Sequence, residues 1–136
     1  VYLRHSDLAR NINQDRPEIN PSNLRCVCFM LYRQRIISIG LNSSKTHPMI
    51  KKLGYQIDRR KYPMHAELSA WMDAEKNNKK YDTMLIYRGY DANLPSCPCI
   101  YCSSWIKNLS IKVVYMTEIG VSITHSSMLI GHEKIF

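Results

Sequence analysis

The sequence lacks a long apolar run. The longest near its front, Cys26 to Tyr32, falls far short of the ~20 residues a spanning helix needs, so no membrane partner is expected. No charged-then-apolar leader opens it, and the expected location is the cytoplasm. It has no internal repeat and no low-complexity tract. Acidic residues are scarce: 11 against 19 Lys and Arg, for a formal net charge of +8. That balance favours an anionic partner, either a nucleotide phosphate or a nucleic-acid backbone, although solubility alone is the plainer reading. The five cysteines cannot all pair. With no sign of secretion they read as reduced, catalytic or metal-bound, not as a disulfide framework.

What is present suits one globular domain covering residues 1–136, with 45% hydrophobic and 22% charged residues. Tyr2 to Asn13 reads as a weakly periodic helix with Leu3, Leu8 and Ile12 as apolar contacts, and Asp15 to Asn23 as a loop. Arg25 to Tyr32 and Ile36 to Leu41 are dense apolar runs around Arg33-Gln34-Arg35, which predicts a β-hairpin. The long connection Asn42 to Pro63 carries Lys45, Lys51, Lys52, Arg59, Arg60 and Lys61. It holds one candidate short helix, with Thr46 as cap, Pro48 in the first turn and Gly54 at the end. Such a loop is either functional or simply solvated.

Met64 to Asn77 is the clearest predicted helix, with Met64, Leu68, Trp71 and Met72 on one face. Thr83 to Tyr87 reads as a buried strand, Arg88 to Pro95 as a loop, and Cys99 to Leu109 as a second helix. Ile111 to Met116 is β-branched and reads as a strand. Glu118 to Gly120 reads as a turn and Val121 to Thr124 as a short last strand. A parallel neighbour needs a crossover of about a dozen residues, so so short a turn predicts an antiparallel last strand. A hairpin followed by alternating helices and strands implies an α/β sheet with helices on its faces.

Two groups of residues carry the chemistry: His65-Ala66-Glu67 and Pro98-Cys99-Ile100-Tyr101-Cys102, each opening a predicted helix. Cys99 and Cys102, three apart, share a helix face and can grip one ion, and His65 adds an imidazole suited to Zn2+. Three ligands leave a fourth tetrahedral position for water, as in catalytic zinc sites. Helix N-termini favour thiolate over thiol. Two thiolates nearly neutralise the ion, so a nearby carboxylate is needed to take a proton from water, and Glu67 stands two residues from a ligand. Either motif alone is weak; in this order they form the zinc-deaminase signature.

The chain resembles the cytidine and deoxycytidylate deaminase superfamily. The matching segments are Met64 to Leu68, Pro98 to Cys102, Ile111 to Tyr115 and Ile39-Gly40-Leu41-Asn42, and the likeness runs from about Arg25 to Thr124. It implies a three-layer α/β/α fold with a five-stranded mixed sheet of order 2-1-3-4-5. It also implies assembly into homo-oligomers. By similarity, Glu67 takes a proton from the attacking water and returns protons to the ring nitrogen and the leaving ammonia. The Ala66 amide meets the base carbonyl, the Cys97 carbonyl meets the leaving amine, and Asn42 holds the sugar. Cys97 is a departure, since such proteins more often carry Ser, Thr or Glu there. A thiol reaching the ion would block its fourth position, and use of the backbone alone is the expectation. The tight turn before Val121 is another departure, because deoxycytidylate deaminases usually continue with a further helix and strand.

The expected function is hydrolytic deamination of a cytosine nucleoside or nucleotide. A nucleic-acid editing deaminase is the alternative; its stacking aromatics would be limited to Tyr55, Tyr62 and Tyr90. A non-catalytic zinc scaffold is the third reading, and Glu67 argues against it. His5, His47, His125 and His132 read as surface or packing residues, with His47 nearest the presumed site. Cys26 and Cys28 read as core.

Overall fold

The computed structural model describes residues 2–44 and 64–130. Helix α1 (Tyr2–Gln14) is followed by strands β1 (Cys26–Tyr32) and β2 (Arg35–Leu41). Helix α2 (Ala66–Lys76), strand β3 (Thr83–Arg88), helix α3 (Ile100–Ile106), and strands β4 (Lys112–Thr117) and β5 (Gly120–His125) complete the order. The sheet runs β2-β1-β3-β4-β5. β1 is antiparallel to both β2 and β3, β3 and β4 are parallel, and β5 is antiparallel to β4. Both the order implied by the resemblance and the direction read from the last turn hold.

Alternation of side chains sorts the central strands onto two cores. Cys28 and Met30 of β1, with Met84 and Ile86 of β3, face α2 and α3. Val27, Phe29 and Leu31, with Leu85 and Tyr87, face the α1 side. Both faces are covered, which explains why these strands read as continuous apolar runs. On the α1 side Tyr2 stacks on Tyr87, with ring centroids 4.2 Å apart.

Several boundaries differ from the sequence reading for local reasons. The β1–β2 turn is made by Arg33 and Gln34 alone, with φ of 50° and 69°, while Arg35 already pairs with Tyr32. Positive φ at both central residues matches strand twist, although Asn and Gly usually supply it. Helix α2 starts at Ala66, because His65 is its cap and Met64 bridges to Ser43. The Ser43 amide donates to the Met64 carbonyl at 2.9 Å. Helix α3 ends at Ile106 and continues as a 3₁₀ turn over Lys107–Leu109. The candidate short helix at Thr46, Pro48 and Gly54 lies outside the described residues.

The seating of α2 was read incompletely. Leu68 is buried and Trp71 and Met72 pack on the same core as expected, with Trp71 5.1 Å from the Trp105 ring. The part that meets β2 most closely is a stripe of small residues. A Cβ at Gly40 would lie 2.2 Å from the Ala70 nitrogen and 2.3 Å from the Ala66 carbonyl oxygen. Ser38 Oγ, also on β2, donates to the Ala70 carbonyl at 2.6 Å. Strand β2 thus fixes the height of the helix that carries Glu67.

Candidate active site

His65 and Cys99 occupy equivalent positions, each capping a helix in extended conformation. The caps bring the two motifs together. His65 Nδ1 lies 3.3 Å from Cys102 Sγ and 3.4 Å from Cys99 Sγ. All three donor atoms fall within 4.8 Å of one another. An ion ~2.1 Å from nitrogen and ~2.3 Å from sulfur at tetrahedral angles needs an N···S separation of about 3.6 Å. The donor set fits zinc, and Nδ1 is the nitrogen that faces it. Among the described residues this is the one such cluster of three.

The local chain conformation makes Cys99 a good ligand. Its sulfur accepts the amide of Cys102 at 3.4 Å, as a helix cap should. The hydrogen bond with the Cys102 side chain lowers the Cys99 thiol most, burial opposes this, and His65 lowers it further; it falls to about 4. The segment before it is held at the sheet. Ser96 Oγ donates to the Ile86 carbonyl at 2.7 Å and accepts the Met116 amide at 3.0 Å. Ser96 is buried and ties the cysteine loop to the ends of β3 and β4. No sequence motif marks it.

A pocket opens on this cluster. Its walls include His65, Ala66, Glu67 and Cys99, with Leu24, Cys26 and Ile86 as apolar surface. Glu67 is 6% exposed and stands in the first turn of α2, where the helix end favours an anion. Ala66 is the first residue of α2, so its amide is among those a helix leaves unpaired. Cys28 is buried as expected, and half-buried Cys26 packs against the same core while also forming a wall of the pocket. Asn42 also lines it, but its oxygen is already occupied, accepting from Arg16 at 2.6 Å and from the Cys26 amide at 2.9 Å.

Cys97 is placed differently. It is not among the three donors, and it lines a neighbouring cleft with Arg88, Pro95 and Tyr115. The Tyr115 hydroxyl is raised chiefly by burial, with the nearby Cys97 side chain adding to the rise. Of the proposed stacking aromatics, Tyr90 is half exposed, with the Arg25 guanidinium 5.8 Å from its ring centre. Tyr55 and Tyr62 lie outside the described residues, as do His47, His132 and the cations Lys45, Lys51, Lys52, Arg59, Arg60 and Lys61. His125 is exposed and accepts the Ser127 amide at 3.1 Å, and half-buried His5 lies edge-on to Phe29; the one is a surface residue and the other a packing residue, as expected. No helix among the described residues is long and apolar enough to cross a membrane.

Comparison with known proteins matches this arrangement. A solved structure of cytidine deaminase from Burkholderia pseudomallei superposes with a TM-score of 0.64 at 14% identity. The match covers 100% of this chain and 99% of that one, and it shows the shared fold. A comparison with curated protein sequences gives no match. The family profile described as the cytidine and deoxycytidylate deaminase zinc-binding region matches residues 4–118. That span runs from α1 to the turn before β5 and includes every residue of the metal cluster, so the chain belongs to the cytidine and deoxycytidylate deaminase family.

Proposed function

We propose that this protein deaminates a cytosine nucleoside or nucleotide by zinc-assisted hydrolysis, giving the uracil product and ammonia. The observation that carries the reading is one pocket lined by Glu67 together with His65 and Cys99, whose donor set Cys102 completes from behind the wall. A structural zinc site has no use for that carboxylate. His65, Cys99 and Cys102 would hold the ion, which when bound acidifies water and polarises the reacting centre.

The chain's own groups supply the rest. Glu67 accepts one proton from the attacking water and delivers it to the ring nitrogen. It then carries the second proton to the amino group, which leaves as ammonia. The Ala66 amide is the proposed donor to the base carbonyl and Asn42 the proposed sugar contact. Leu24, Cys26 and Ile86 give a flat ring an apolar wall. Cys97 is proposed to act through its backbone alone, since its side chain lies toward Tyr115.

The test is ammonia release from a panel of cytosine, adenine and guanine bases, nucleosides and nucleotides. Cytosine nucleosides or nucleotides should be consumed and the purines spared. Deamination inside single-stranded oligonucleotides, with none of free nucleotides, would transfer the substrate to a nucleic-acid strand, which the +8 charge also suits.

A further inference from the structure

We infer that Arg16 is a positioning residue that locks the Asn42 amide so that it offers the pocket an N–H donor and no acceptor. The ligand it would meet takes its class from the nucleoside reading above; the lock itself rests on geometry alone.

Arg16 lies in the loop between α1 and β1 and is 4% exposed. Its Nε pairs with the exposed carboxylate of Glu18 at 3.1 Å. The other guanidinium nitrogens turn inward. Nη1 donates to the Cys26 carbonyl at 2.8 Å and to Asn42 Oδ1 at 2.6 Å. Nη2 donates to the Asn42 main-chain carbonyl. One buried side chain therefore grips Asn42 by its backbone and its side chain, and joins the end of β2 to the start of β1.

A second donor fixes the amide's orientation. The Cys26 amide reaches the same Asn42 atom at 2.9 Å. Two N–H donors converging on one terminal atom require oxygen there, because a flipped amide would set N–H against N–H. The nitrogen must then face the other way. It gives one hydrogen to the Leu24 carbonyl at 2.7 Å. Among the described residues no partner takes the second hydrogen. Leu24, Cys26 and Asn42 all line the pocket. The group presented there suits an oxygen acceptor, such as a sugar hydroxyl oxygen, and disfavours an ammonium or amine donor. A planar fork is needed for this grip, and lysine supplies only a point charge.

Arg16→Ala, Arg16→Lys and Asn42→Asp test the inference in the zinc-loaded protein. The probes are a cytosine nucleoside and cytosine itself, used as substrate or competitive inhibitor. One lost oriented hydrogen bond is worth about tenfold. R16A should raise KM for the nucleoside by about that factor, leave kcat within about twofold, and leave the affinity for cytosine unchanged. R16K should recover only part. N42D keeps an acceptor for Arg16 and Cys26 but loses the donor, so it should share the KM defect. Equal losses on nucleoside and base, or no change in either, would overturn the positioning role. If R16A does not fold, R16K and N42D decide the matter by the same split.

A wild-type protein inactive on every cytosine compound would defeat the deaminase reading alone. The lock would then be judged by NMR of the Asn42 side-chain amide protons, identified by their disappearance in N42D. The hydrogen given to the Leu24 carbonyl should be protected from exchange in the wild type and lose that protection in R16K. Unchanged signals in R16K would refute the lock.

Discussion

Cys28 sits in the middle of a strand and Cys99 at the start of a helix, and both are closed off from solvent. Burial pushes the Cys28 thiol well above its usual range, with the Glu67 carboxylate and Cys26 adding to the rise. At Cys99 the hydrogen bond with Cys102 outweighs burial and, with His65, brings the thiol to about 4. Equal burial therefore leads to opposite chemistry. Among the described residues Cys28 has no side chain beside it that favours the thiolate, whereas the helix start sets the Cys102 and His65 side chains against the Cys99 sulfur, with the Cys102 amide adding a smaller share. Cys28 is shaped as a small apolar side chain and Cys99 as a ligand.

The largest expected effect comes from Glu67, which disfavours charge at Cys28 and lines the same pocket as His65 and Cys99. Glu67→Gln should lower turnover by about 10²–10⁴-fold, since an amide cannot accept a proton from water. Metal analysis should show unchanged zinc content, and near-normal turnover would assign the proton to another base. Substituting the cysteines themselves sharpens the contrast. Cys28→Ser should keep its zinc but lose about 1–3 kcal/mol of stability, the cost of burying a hydroxyl without a partner. Cys99→Ser should lose zinc under dialysis that leaves the Cys28 variant loaded. Equal zinc loss from both variants would break the comparison.

The smallest effect concerns the metal-free protein. The folded Cys99 value near 4 lies below the ordinary 9.0. A depressed acid contributes stability that is fully present above the ordinary value and is lost as pH falls through the folded one. Thermal melts of the metal-free protein should therefore rise between pH about 4 and 9, and Cys99→Ala should flatten that rise. An unchanged slope in the variant would show that other groups carry it.

The metal cluster was legible because each motif is local: a cap and its neighbours on one turn, with the type of residue announcing its chemistry. The direction of β5 was legible for a similar reason, since Glu118 and Ile119 leave no room for a crossover. Strand order came only with the family resemblance, because alternation assigns faces and not neighbours. What was missed depends on distant partners. Nothing near Arg16 announces that it will reach Asn42, and Ser96 gains its role only when β3 and β4 lie side by side. The contact of Gly40 with Ala66 and Ala70 was hidden likewise, because a stripe of alanines gives a weaker periodic signal than Leu68, Trp71 and Met72.

The bridge between Ser43 and Met64 has an engineering consequence. Chain leaves the edge of the sheet at Ser43 and is stitched back to it at Met64, one residue before His65. Such a point behaves as a socket. With its two rims fastened, doubling the length of an insert adds only about 0.6 kcal/mol of closure entropy. Ser43, Met64 and His65 all border the pocket, so both points where an insert would be fastened lie on its rim. Selectivity is then open to loop exchange, while the helix that carries Glu67 stays anchored to β2.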